Sequence, residues 1–180
     1  MAKTYLAGID IGTTGAKATI YDLQGNSVAS GYHEYKCEYP KPNWVEQDAD
    51  HIIACSMKSA KDAVDSAKID IAEVVSISFS AQRCCSIFVD KAGNQVRPMI
   101  SWQDARTADE VEDIQAKISP EAFYEITSVP LNTLWILTKM LWLRKNEPES
   151  WAKTDKVIQL QDYVLRSWGV DGYYNDLSDA

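Results

Sequence analysis

One segment near the start of the chain constrains the fold more than any other: Gly8-Ile9-Asp10-Ile11-Gly12-Thr13-Thr14-Gly15-Ala16-Lys17. Thr4 to Ile11, with Tyr5, Leu6, Ile9 and Ile11, reads as a strand. Ala16 to Tyr21 sets Lys17, Thr19 and Tyr21 against Ala16, Ala18 and Ile20, the period of two expected when one face is buried. Gly12 to Gly15 between them is turn chemistry, as is Asp22-Leu23-Gln24-Gly25-Asn26, after which Ser27 to Tyr35 is extended again. Three strands joined by tight turns predict an antiparallel meander.

The first turn carries chemistry as well as shape. Gly12 and Gly15 permit close backbone approach and positive φ. Successive N–H groups in such a turn form a concavity that holds an anion, and Thr13 and Thr14 add hydroxyls. Gly12, Thr13, Thr14 and Lys17 are therefore candidate phosphate-binding residues. Asp10, at the end of the first strand, is placed to hold Mg²⁺ directly or through water. The same residues also suit an ordinary hairpin turn with Asp10 solvated.

Beyond the meander, Lys36 to Asn43 contains Pro40 and Pro42 and reads as a loop. Asp48 is a suitable N-cap for a helix whose apolar face is Ile53, Met57, Ala60, Val64 and Ala67. Ile71 to Phe79 reads as a buried strand, Ser86 to Asp90 as a short one, and Val96 to Trp102 as extended. Thr107 and Ser119 are expected to cap two further helices, the second with Pro120 at its first position. Leu134, Leu137 and Leu141 define another helix, ending near Glu147-Pro148; Lys156 to Leu160 reads as a strand and Asp162 to Trp168 as a helix. Three strands, a helix, a strand and then mixed elements predict an α/β fold with a mixed central sheet.

The formal net charge of -8 argues against a nucleic-acid partner, which requires clustered Lys and Arg. The longest apolar stretch, Leu131 to Leu143, is broken by Asn132, Thr133, Thr138 and Lys139, too short and polar to span a bilayer. The four cysteines, without a signal peptide after Met1, suggest reduced thiols in a cytoplasmic protein.

The turn at Gly8–Lys17 resembles the first phosphate motif of the actin-like ATPase superfamily. Three later stretches narrow the resemblance: Tyr39-Pro40-Lys41-Pro42-Asn43-Trp44-Val45-Glu46-Gln47-Asp48; Ser78-Phe79-Ser80-Ala81-Gln82-Arg83; and Arg97-Pro98-Met99-Ile100-Ser101-Trp102-Gln103-Asp104-Ala105-Arg106. In that order they are similar to the N-terminal part of FGGY carbohydrate kinases such as xylulokinases and glycerol kinases. Asp155 to Tyr163 and Asp176-Leu177-Ser178-Asp179-Ala180 resemble xylulokinases more than glycerol kinases.

The resemblance implies a ribonuclease-H-like domain and an ATP- and Mg²⁺-dependent transfer of phosphate to a sugar or polyol, with a pentulose such as xylulose favoured. It implies that Asp10 serves the metal and that Gln82, Arg83, Trp102 and Asp104 bind substrate. The polar residues suit polyol hydroxyls and the indole suits a carbon face. Arg83 also suits a surface ion pair, Asp104 a helix cap and Trp102 the core. Where glycerol kinases follow the Gln-Arg pair with Glu, this chain has Cys84, and it has Lys17 where they have Arg. The resemblance further implies that residues 1–180 form an incomplete N-terminal domain. The catalytic base, an Asp in a Gly-Asp motif, then lies beyond Ala180, so this chain alone is expected to be inactive. A homodimer of the full-length protein is a further expectation, and a noncatalytic binding module of the same fold is the alternative.

Overall fold

The computed structural model describes residues 4–175, so the motif at Asp176–Ala180 lies outside the described residues. The meander forms as expected. Strands β1 (Tyr5–Ile11), β2 (Gly15–Asp22) and β3 (Ser27–Glu34) pair antiparallel through the two predicted turns. After a loop come the two-residue strand β4 (Glu46–Gln47) and helix α1 (Ala49–Ala67), which carries the chain across to β5 (Val74–Ala81). Strand β5 pairs parallel to β1, giving a mixed sheet in the order β3-β2-β1-β5.

Alternation in β1 and β2 sorts the two faces of this sheet. Tyr5, Ala7, Ile9, Ile11, Ala16, Ala18 and Ile20 are buried, and helix α1 packs over β2 and β3 on that side. Asp48 caps α1 as predicted, accepting the N–H groups of Asp50 and His51. The buried face of α1 is rotated from the expected one, however. It is Ala49, Ile52, Ile53, Cys55, Ser56, Ser59 and Ala63, whereas Met57 is exposed. Close approach explains the rotation. The helix backbone at Ser59 occupies the space a Gly31 side chain would need, and Ser59 Oγ donates to the Ala16 carbonyl at 2.8 Å. Small residues win the contact because they let the backbones meet.

A second correction concerns β5, expected to be buried. Val75 is 63% and Ile77 40% exposed, and Ile71 lies in an exposed single turn capped by Asp70. Strand β5 ends the sheet among the described residues, with one hydrogen-bonded edge on β1.

The rest of the chain builds beside the sheet. Strand β6 (Ile87–Val89) pairs with β8 (Lys156–Ile158), and β4 with β7 (Met99–Ile100). Helices α2 (Ala108–Gln115), α3 (Pro120–Thr127), α4 (Ile136–Asn146), α5 (Pro148–Lys153) and α6 (Leu160–Ser167) complete the fold. Ser119 caps α3. Thr107 precedes α2 without a side-chain cap; its hydroxyl instead donates to Thr138 Oγ1 of α4 at 3.0 Å. The face of α4 is also not the predicted leucine row. Thr138, Lys139, Trp142 and Leu143 are buried while Leu137 is exposed, because the polar pair finds partners inside. Among the described residues no helix is long and apolar enough to cross a membrane.

Candidate functional site

The turn between β1 and β2 is held from behind by three donors. Tyr35 Oη donates to the Gly12 carbonyl at 2.7 Å, Gln47 Nε2 to the Thr13 carbonyl at 2.9 Å, and the Tyr35 N–H to the Thr14 carbonyl at 3.1 Å. Across a trans peptide the N–H points opposite to the carbonyl before it, and the described peptides are trans. Seating the Gly12 and Thr13 carbonyls inward therefore turns the Thr13 and Thr14 N–H groups outward, the orientation an anion needs. Burial, with the charges of Cys55 and Asp10 adding to it, pushes the Tyr35 hydroxyl far above the ordinary tyrosine range, so it remains a donor.

Of the two properties expected of the glycines, close approach and positive φ, the second is not used. Neither Gly12 nor Gly15 has positive φ. Gly15 is needed for room, since a Cβ there would lie 2.6 Å from the Tyr32 ring.

Asp10 and Lys17 are cross-strand neighbours on the outward face of the sheet, both exposed. With Gly8, Thr19, Tyr21, Ser78, Phe79 and Ser80 they line a cleft of about 300 Å³. Among the described residues no group of three or more metal-ligating side chains forms. A lone outward carboxylate beside a phosphate turn fits Mg²⁺, which keeps several waters and takes its remaining ligands from substrate phosphates.

The later candidates divide into two sets. Gln82 extends the β1–β5 pairing, its N–H donating to the Ile11 carbonyl at 2.9 Å. Its side-chain Nε2 donates to Gln47 Oε1 at 2.8 Å, so Gln47 joins Gln82 to the carbonyl of Thr13. Trp102 is 41% exposed, and its Nε1 donates to Thr13 Oγ1 at 3.1 Å. Arg83 is exposed on the same segment as Gln82. Thus Trp102 bonds the turn directly and Gln82 reaches it through Gln47, with Arg83 next to Gln82 in the chain.

Asp104 does not join them. It is 1% exposed, accepts the Val45 N–H at 2.6 Å and receives Arg106 Nε and Nη2 at 2.7–2.9 Å. Its carboxylate is committed to these partners, so the structure makes it a brace where a substrate contact was expected. Arg106 in turn lies 3.8 Å above the Trp44 ring and pairs with Glu46, which also holds Arg97 at 2.5 Å.

The Trp-x-Glu-x-Asp run is therefore largely scaffolding. Trp44 stacks on Arg106, Glu46 binds two arginines and Asp48 caps α1. Gln47 is the exception, because a strand turns successive side chains to opposite sides. Sequence reading missed Gln47, and the signal for it was that alternation. It also missed Lys139, which is fully buried and whose signal was a charge inside an apolar helix.

Residues 5–180 match the N-terminal domain of the FGGY family of carbohydrate kinases. The chain belongs to the FGGY family. This FGGY chain is 34% identical over 152 residues to a glycerol kinase of Thermococcus onnurineus (strain NA1), covering 84% of the chain and 31% of the relative. It is 32% identical over 178 residues to a xylulose kinase of Lactococcus lactis subsp. lactis (strain IL1403), covering 98% and 35%. The fold matches a ligand-bound xylulose kinase from Lactobacillus acidophilus with a TM-score of 0.84 at 26% identity, covering 91% of this chain and 33% of that one. A gluconate kinase from the same organism gives 0.83 at 26% identity, covering 91% and 32%. The FGGY chain spans about a third of the length of the curated relatives it matches. Its fold is the actin-like ATPase fold that the resemblance of the Gly8–Lys17 turn implied.

Proposed function

We propose that the full-length protein transfers the γ-phosphate of ATP to a hydroxyl of a sugar or polyol, and that this chain supplies the phosphate turn and one side of the acceptor site. The observation that carries the reading is the convergence on Thr13. Its hydroxyl receives Trp102 and its carbonyl is linked through Gln47 to Gln82, so residues suited to a polyol are bonded to a turn suited to phosphate. Phosphoryl transfer is achieved mainly by positioning and charge stabilisation, and a shared anchor for donor and acceptor meets the first requirement. The outward N–H groups of Thr13 and Thr14 donate to phosphate oxygens, with Lys17 adding positive charge nearby. Asp10 would hold Mg²⁺, which supplies charge neutralisation at the phosphates when bound. Gln82 and Arg83 offer hydrogen bonds to acceptor hydroxyls, and the exposed face of Trp102 packs on the carbon side.

A pentulose such as xylulose is the proposed acceptor, supported by the alignment of nearly the whole chain with a xylulose kinase. The base that receives the acceptor proton is proposed to be an Asp beyond Ala180, so that residues 1–180 are the first part of a longer catalytic unit. A coupled ADP-release assay of the full-length protein with ATP, Mg²⁺ and a panel of pentuloses, polyols and sugar acids tests this. Release stimulated most by a pentulose is expected. No stimulation by any acceptor would leave a noncatalytic binding module instead.

A further inference from the structure

The segments bearing Arg83 and Trp102 run together and then part. Ser86 and Ile100 form an antiparallel bridge, with N–H to carbonyl distances of 2.9 and 3.0 Å in the two directions. Beyond that bridge the chain leads back through Cys85 and Cys84 to Arg83 on one side, and on through Ser101 to Trp102 on the other. Two backbone strands that diverge leave carbonyls without ladder partners, and buried carbonyls must find donors elsewhere.

Lys139 of α4 fills this fork. It is 0% exposed, and its Nζ donates to the carbonyl of Cys84 at 2.8 Å, of Ser101 at 3.0 Å and of Leu134 at 3.1 Å. An ammonium has three protons and no acceptor, and here three main-chain carbonyls take them. Two of those carbonyls belong to the residues directly next to Arg83 and Trp102. Cys84 is held in a left-handed conformation at φ 59°, uncommon for a residue with a Cβ. Its N–H is also fixed, donating to Gln159 Oε1 at 2.9 Å.

Resting on the kinase reading above, we propose that Lys139 is a positioning residue that locks the Arg83 and Trp102 segments into one rigid acceptor-binding body. It touches no substrate. It sets the direction from which Arg83 leaves the backbone and the height at which the Trp102 indole stands over the phosphate turn. A methionine of similar length would fill the volume and leave the fork open. The role is therefore separable from packing, and it concerns the acceptor more than the nucleotide.

The experiment compares wild-type and K139M full-length protein by steady-state kinetics and by amide hydrogen exchange. Expected in K139M are an acceptor KM raised at least fivefold, an ATP KM within twofold, and faster exchange in residues 83–86 and 101–104 together. An unchanged acceptor KM, an equal rise in both KM values, or faster exchange spread evenly through α4 and the core would overturn the proposal. Should K139M not accumulate in folded form, K139Q, which keeps two donors without the charge, is read by the same two measurements. If the wild type releases no ADP with any acceptor, the kinase reading fails, and the paired change in exchange alone decides the role of Lys139.

Discussion

The indole Nε1 of Trp102 donates to the hydroxyl of Thr13 at 3.1 Å, across 89 residues of sequence. The indole proposed as a wall for the acceptor and the turn proposed to hold phosphate are thereby fixed to each other. W102F keeps the aromatic face and removes this donor. A neutral hydrogen bond of this kind contributes about 0.5–1.5 kcal/mol, so the acceptor KM should rise about two- to tenfold. Steady-state kinetics of the full-length protein with varied acceptor checks this, and an unchanged KM would detach the indole from the acceptor site.

Gln47 should behave differently, because it touches both sides. Q47L strips the Gln82 amide and the Thr13 carbonyl of a buried partner, and each orphaned group costs about 1–3 kcal/mol. The expected result is a fall in kcat, since the turn and the acceptor segment lose their mutual register. A rise confined to the acceptor KM, with kcat intact, would show that Gln47 does not couple the two.

Arg106 is the centre of the buried ionic cluster, held between Asp104, Glu46 and the Trp44 ring. R106M leaves two carboxylates buried without it, and breaking such a pair costs about 3–5 kcal/mol. A clear drop in melting temperature is expected. D104N should likewise lose stability before it loses acceptor binding; a large rise in acceptor KM with unchanged melting would make Asp104 a ligand after all.

Burial lowers the Lys139 ammonium from 10.5 to about 8, with the charges of Cys85, Asp104 and Cys84 opposing the fall and Arg106 adding to it. Below pH 8 the group is charged in both the folded and the unfolded chain. Between about 8 and 10.5 the unfolded chain binds more protons, so stability from this group rises with pH by up to about 1.4 kcal/mol per unit. Denaturant unfolding of wild type and K139M at pH 8 and pH 10 should show this extra gain in the wild type alone. Acceptor binding should move the opposite way, because a neutral amine has two protons for three carbonyls. The wild-type acceptor KM is expected to climb above pH 8, and a flat profile to pH 10 would refute it.

The meander, its turns, the Asp48 and Ser119 caps and the importance of Gly12 to Gly15 were legible in the sequence. Each depends on local chemistry: alternation by two, turn residues, and side-chain oxygens beside a helix start. The face α1 buries was not legible, because it depends on Gly31 and Ala16 presenting a surface low enough for Ser59. The exposure of β5 was hidden for a related reason: Val75 and Ile77 have the residue types of a buried strand, but strand neighbours decide burial.

The same division holds at the site. The sequence by itself determined which residues could meet a phosphate or a polyol, since residue type sets hydrogen-bonding capacity. Only the tertiary structure decided which of them are available. Asp104 and Trp102 lie two residues apart in one motif, yet Arg106 and Val45 consume the carboxylate while the indole remains partly open beside Thr13. Gln47 and Lys139 acquire their roles from partners 34–35 and 38–55 residues away, respectively. A hydrogen bond is satisfied by whichever group the fold brings within about 3 Å, and sequence spacing carries no record of that choice.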